Sequence, residues 1–314
     1  MSTEQTILTS AAAYAEFGDL LHAAAPEARF LLASPERVID CGTGKQVREV
    51  RPTIAWLSSD LFAGGSGVAW FASLFINSPA LRWVHSSTAG LDSPVFGKLR
   101  ERGVRVTGAH IYGPQISEFV LREALDHLQH AAAWRAGQLT RSWAPHDFRE
   151  MAGTTWLVIG LGEIGGRIAR TAHALGARVL GSARHEPTDL SGMAEYVSPD
   201  AVTDRLGDAD VVVIARPALD DAVLVDRPFL DAMAPDSLLV NISRGSLVDE
   251  VALLAALDAG RPARAVLDVF ASEPLPTDSP LWSHPKVVVT PHTSGQGDGR
   301  FARGAQVFAK LLRA

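Results

Sequence analysis

The chain has 314 residues, 47% of them hydrophobic, which is enough for about two cores of ordinary domain size. A formal charge of -6 argues against nucleic acid as the main partner, because that binding leans on a basic surface. The single cysteine, Cys41, reads as an ordinary loop thiol and excludes an intramolecular disulfide and a thiolate metal cluster. No metal site is expected. With no apolar run of about 18 residues and no basic, then apolar, leader at the start, the expectation is a cytoplasmic protein without a membrane partner.

Short apolar runs at residues 6–8, 30–32, 53–57, 81–85 and 104–107 predict strands. Helical patterns fall at 11–24, 67–75 and 94–102. The spacing of Phe119, Val120, Ala124, Leu125, Leu128 and Ala131 predicts one long helix over 116–139, bridging two domains. A second alternating series follows, with strands at 178–180, 211–214, 238–242, 265–267 and 287–290. The fold class is therefore α/β, with two doubly wound parallel-sheet domains in succession. Phe301, Ala305, Phe308, Leu311 and Leu312 form a C-terminal helical stripe too small for its own core, expected to dock on the first domain.

Between the two series lies Gly160-x-Gly162-x-x-Gly165, preceded by the strand-like Trp156-Leu157-Val158-Ile159 and followed by Ile164, Ile168, Ala172 and Leu175 at helical spacing. Strand, tight turn and helix is the context a dinucleotide-binding turn requires. The glycines permit a sharp turn and close approach to a pyrophosphate, and the helix N-terminus offers it free N–H groups. Ligands of doubly wound sheets sit at the carboxyl ends of the strands, which nominates Arg244 after 239–243, Asp268 after 265–267 with Glu273 five residues on, and His292 after 287–291. A guanidinium can grip a carboxylate and polarise the adjoining carbonyl, while a histidine oriented by a carboxylate can deliver a proton. That trio suits hydride chemistry on a small keto acid.

These residues resemble the D-isomer-specific 2-hydroxyacid dehydrogenases. The likeness runs through Asn241-Ile242-Ser243-Arg244-Gly245, Leu267-Asp268-Val269-Phe270-Ala271-Ser272-Glu273-Pro274, Ser279-Pro280-Leu281-Trp282 and Thr290-Pro291-His292, and covers most of the chain from about residue 80 onward. The resemblance implies a flavodoxin-like substrate domain, 1–112 completed by a helix within 296–314, and a Rossmann domain over 113–295. It implies Arg244 as the substrate-binding arginine, Glu273 as the carboxylate partner and His292 as the acid/base. Asp268 would support the cofactor, with Gly160, Gly162, Glu163, Ile164 and Gly165 lining it. In the loop 86–92, backbone N–H groups of Ser87, Thr88, Ala89 and Gly90 would hold the substrate carboxylate. The family also implies a homodimer, with Trp134, Trp143 and Phe148 on an apolar arm suited to it. Glyoxylate and hydroxypyruvate types are the expected substrates. The alternatives are a dinucleotide-sensing protein without turnover and a phosphoglycerate-type dehydrogenase, the latter disfavoured because no regulatory domain follows residue 314.

One departure bears on the cofactor. NAD-preferring members place an acid at the end of the second Rossmann strand, where this chain has Ala183, followed by Arg184. Ser182 and Arg184 can offer donors to a 2'-phosphate, with Arg216 near the same rim as a weaker candidate. NADPH is thus expected to be preferred, with NAD a possible substitute.

Overall fold

The computed structural model describes residues 5–62, 67–88, 90–91, 93–218 and 222–314. The chain divides into two units, Met1–Tyr112 with Gly297–Ala314, and Gly113–Gln296.

The first unit runs β1 (Thr6–Ser10), α1 (Ala11–Ala24), β2 (Arg29–Ala33), β3 (Val38–Asp40), β4 (Ile54–Leu57), α2 (Gly67–Ser73), β5 (Trp83–Ser86), α3 (Pro94–Glu101) and β6 (Arg105–Gly108). Its sheet has the order β3-β2-β1-β4-β5-β6, parallel except for the antiparallel edge strand β3. The run 38–40 is too short to show an alternating pattern, so β3 has no signature in the sequence. Ser10 starts α1, its hydroxyl accepting the Ala13 N–H at 3.0 Å. The last element of the chain, α10 (Arg300–Leu312), belongs to this unit and packs along α1. Its Phe308 stacks on Trp56 (centroids 4.9 Å apart) and lies parallel to the His85 ring at 5.5 Å.

The second unit runs α4 (Gly113–Leu128), α5 (Ala131–Thr140), β7 (Thr155–Ile159), α6 (Glu163–Ala174), β8 (Arg178–Ser182), β9 (Glu195–Val197), α7 (Val202–Arg205), β10 (Val211–Ile214), α8 (Arg227–Ala232), β11 (Leu238–Asn241), α9 (Glu250–Asp258), β12 (Arg264–Leu267) and β13 (Val287–Val289). The sheet order is β13-β12-β11-β10-β7-β8-β9, parallel throughout. β10 (VVVI) and β11 (LLVN) are buried at every position, as strands covered on both faces must be. The winding reverses between β7 and β10, which makes their carboxyl ends the natural ligand crevice of a Rossmann sheet.

The single helix expected over 116–139 is two helices. His130 takes a left-handed conformation (φ 52°) between α4 and α5. The reason lies in the returning chain: the Arg149 N–H donates to Leu128 O (3.1 Å), and His146 Nε2 engages Gln129 O (3.2 Å). Carbonyls that a continuous helix would satisfy internally are satisfied from outside, so the helix ends there.

His85 is buried (0% exposed), and its Nδ1 is 2.8 Å from Thr107 Oγ1. Desolvation, reinforced by the Arg105 charge, lowers its pKa to about 4. The folded value lies below the unfolded one, so the unfolded chain takes up the proton first. This contribution to stability is intact above about pH 6.5 and is lost as pH falls towards about 4, amounting to roughly 2–3 kcal/mol. Urea unfolding of wild type and His85→Gln at pH 7.5 and 4.5 checks this: the stability gap between them should shrink by about that amount at the lower pH, and an unchanged gap refutes it.

Candidate active site

β7 delivers the chain into the glycine turn. Gly160 has φ +106°, and a Cβ there would stand 2.5 Å from Ala215 C, in the segment after β10. Its N–H donates to Ser182 O at 2.7 Å, tying the turn to the end of β8. A Cβ at Gly165 would lie 1.7 Å from Gly160 O, so α6 can meet the turn only with glycine there. At Gly162, the residue that starts α6, a Cβ would meet nothing within 4 Å. The first bond of α6 runs from Gly166 N–H to Gly162 O (2.8 Å), so the N–H groups of Glu163, Ile164 and Gly165 have no intrahelical acceptor. Open space before three free donors at a helix N-terminus fits a dinucleotide pyrophosphate. The Glu163 carboxylate is turned to α4, where it accepts the Gly113 N–H at 3.1 Å; only its backbone serves the turn.

β11 presents Arg244. Asn241 is fully buried and clamps the segment from both sides: Oδ1 accepts Ser243 N–H (3.1 Å) and Nδ2 donates to Arg244 O (2.9 Å). Arg244 is half-buried, with Nη1 donating to Ser243 O at 2.8 Å. The next residue must be glycine, because a Cβ on Gly245 would fall 1.8 Å from Phe270 C. Thus the Arg244 segment and the segment that leads to Glu273 touch backbone to backbone.

β12 ends at Asp268, which is fully buried. Its carboxylate accepts from Thr290 Oγ1 (2.6 Å), Thr293 N–H (2.8 Å) and Ser294 N–H (3.0 Å), and its carbonyl accepts His292 N–H (2.9 Å). Asp268 therefore holds the histidine loop. His292 itself sits at φ 49°, an uncommon conformation for a side-chain-bearing residue. Its Nδ1 meets Glu273 Oε2 at 2.8 Å, and Glu273 Oε1 accepts the Phe270 N–H at 3.0 Å. Glu250, at the start of α9, accepts the Ala271 N–H at 2.9 Å and steadies the same turn. His292 and Glu273 are half-exposed.

Of the residues nominated from sequence, His292 and Glu273 are in contact, and Arg244 follows the strand next to the one that leads to Glu273. Asn241 and Glu250 act only through backbone hydrogen bonds, which nothing in a single sequence reveals. Ser182 is buried, its carbonyl engaged by Gly160. Arg184 is exposed. Arg216 follows β10, on the other side of β7, two strand spacings or about 10 Å from the end of β8. In the first unit, Ser87 is fully buried, its N–H donates to Leu57 O (2.8 Å), and its Oγ accepts from Trp56 Nε1 (3.2 Å). The Ser87 N–H is thus committed to the fold and is not available to a substrate carboxylate. Thr88 N–H makes a long bond to Ser86 Oγ (3.3 Å), and Thr88 Oγ1 donates to Gly90 O (2.9 Å). Ala89 and Asp92 lie outside the described residues. Among the described residues no group of three His, Cys, Asp or Glu side chains is placed to hold a metal, and no helix is long and apolar enough to cross a membrane.

A Rossmann sheet whose carboxyl edge carries a histidine–carboxylate pair and an arginine defines a nicotinamide-dependent oxidoreductase. Residues 121–294 match the model of the D-isomer specific 2-hydroxyacid dehydrogenase, NAD binding domain, and the chain belongs to that family. It is 30% identical over 254 residues to a glyoxylate/hydroxypyruvate reductase A of Arabidopsis thaliana, covering 79% of this chain and 80% of that one. A D-isomer specific 2-hydroxyacid dehydrogenase family protein of Aeromonas salmonicida superposes with TM-score 0.79 at 30% identity, covering 98% of this chain and 94% of that one. The NADPH-dependent glyoxylate/hydroxypyruvate reductase of Sinorhizobium meliloti, solved with NADP and sulfate, gives 0.74 at 25% identity, covering 99% and 95%.

Proposed function

We propose that this protein reduces a small 2-keto acid of the glyoxylate or hydroxypyruvate type with NADPH, and runs the reverse oxidation of the D-2-hydroxy acid. The observation that carries the reading is the 2.8 Å His292–Glu273 pair at the sheet edge that bears Arg244 and the glycine turn. Gly160, Gly162 and Gly165, with the N–H groups of Glu163 and Ile164, would hold the dinucleotide, which when bound supplies the hydride. Arg244 receives the substrate carboxylate through parallel hydrogen bonds and draws electron density from the neighbouring carbonyl. Thr88, Ala89 and Gly90 complete the proposed substrate contacts. Because the Glu273 carboxylate can only accept, Nδ1 of His292 carries the hydrogen between them, and Nε2 is left to give its proton to the carbonyl oxygen. His292→Asn should lower kcat by about two to four orders of magnitude with dinucleotide affinity nearly unchanged. Steady-state absorbance at the reduced-nicotinamide band, with cofactor binding measured separately, checks both; full activity in the variant excludes His292 as the acid.

The NADPH preference rests on the end of β8. Ala183 leaves no carboxylate to repel a 2'-phosphate, and the exposed Arg184 supplies a cation at that rim. The S. meliloti relative, NADPH-dependent by its description, supports this direction. Arg216 is the weaker partner because it stands on the far side of β7. One charge-assisted contact contributes about 1.5–3 kcal/mol, so kcat/KM should favour NADPH by roughly ten-fold to a few hundred-fold. Arg184→Ala should erode that ratio by weakening NADPH alone, and Ala183→Asp should erase or reverse it. Equal use of both cofactors by the wild type, indifferent to Arg184→Ala, rules the assignment out.

The protein is also proposed to be a homodimer. α5 buries none of its residues; its Trp134 is 42% exposed, and Trp143 and Phe148 after it are 95% and 49% exposed. Such an apolar arm fits an isologous interface with a second copy. Sedimentation at micromolar concentration should give twice the chain mass, and a monomer there contradicts it.

A further inference from the structure

In the first unit the winding reverses between β1 and β4, neighbours in the sheet whose following segments run to opposite sides. Ligands of open α/β sheets bind outside the carboxyl ends of strands at such a point. A cavity of about 100 Å³ lies there, between the start of α1 and the segment after β4. Its apolar walls include Ala12, Phe17, Trp56 and Phe301, and its polar side is formed by Ser58, Ser59 and Asp60. Trp56 faces the α1 and α10 layer, whereas the adjacent Leu57 belongs to the core on the opposite face of the sheet.

The polar side is incompletely satisfied. Ser59 is only 4% exposed, and among the described residues its Oγ has no hydrogen-bond partner. Asp60 Oδ2 accepts the Ser10 hydroxyl at 2.6 Å, while the buried Oδ1 has no partner among the described residues. The Ser10 hydroxyl has a single hydrogen, given to Oδ2, so it cannot serve both carboxylate oxygens. A buried carboxylate oxygen without a donor is costly, and the cavity is where a donor can arrive. Glu16 adds a second carboxylate to the lining.

We infer that this cavity binds a small protonated amine of about four to eight non-hydrogen atoms, its ammonium on Asp60 Oδ1 and Ser59 Oγ and its carbon stem against Phe17, Trp56 and Phe301. A carboxylate or phosphate ligand is excluded by Asp60 and Glu16, and a neutral alcohol would leave the charge of Asp60 unmatched. The site lies wholly within the first unit and does not rest on the redox reading, so turnover is not its readout. Ligand-observed NMR titration of the full chain with ethanolamine at pH 7.5 should show saturable binding at about 1–10 mM. Ethylene glycol, the uncharged analogue of equal size, should bind at least about ten-fold more weakly. Asp60→Asn should weaken ethanolamine by at least about ten-fold. Should that variant fail to fold, Ala12→Leu stands in: Ala12 is exposed on a helix that tolerates leucine, and the larger side chain fills the cavity and should abolish binding. No saturation in the folded wild type, equal affinity for the glycol, or binding that survives Ala12→Leu each overturns the inference.

Discussion

The candidate site depends on the Asp268 carboxylate more than on any other group. It is fully buried, an expensive place for a charge, and it is tolerated because three donors from residues 290–294 converge on it. Those donors all belong to the segment after β13, so one ion pins the loop that carries His292 to the end of the neighbouring strand. The same residue's carbonyl fixes the His292 N–H. With both held, the histidine can keep a left-handed backbone that would cost about 1 kcal/mol or more unaided, and its ring reaches Glu273.

Steric exclusion does the rest of the alignment. At Gly160 and at Gly245 a single methyl group would collide with backbone from an adjacent strand end, Ala215 in one case and Phe270 in the other. Backbone does not yield as a side chain does, so these two positions hold two pairs of neighbouring strand ends together, β7 with β10 and β11 with β12. Asn241, bonded on both sides of the Ser243–Arg244 link, and Glu250, bonded to the turn that carries Glu273, then fix where those side chains emerge. The arginine, carboxylate and histidine are thus placed by the sheet, and the sheet is placed by apolar burial of strands such as β10.

Much of this was legible in the sequence, for identifiable reasons. Continuous apolar runs reveal buried parallel strands, and Gly160, Gly162 and Gly165 after such a run reveal the turn. Polar residues just past strands nominate groups at one sheet edge, and His292 and Glu273 do meet there. Features decided by distant chain were not legible. The break after Leu128 depends on carbonyls being satisfied from residues 146 and 149, and β3 and β9 are three-residue edge strands below any period. The tie of the Ser87 N–H to Leu57, on the neighbouring strand, is hidden for the same reason. The position of Asp268 after a strand is visible in the sequence, but the three donors it gathers from residues 290–294 are not.

Burial separates the polar groups of the site into those enclosed by the fold and those open to solvent. Asp268 and Asn241 are 0% exposed and bond the segments 290–294 and 243–244, so their removal would be felt as lost structure. The His292 and Glu273 side chains are 54% and 36% exposed, in a range where an ion pair contributes about 0–1 kcal/mol to stability. That gain is no larger than the cost of the left-handed backbone at His292. A fold selected for stability alone has no use for such an arrangement, in which a strained residue is braced by a buried carboxylate so that one imidazole nitrogen is paired and the other is left open. The strain is explained if the open nitrogen is the one that works.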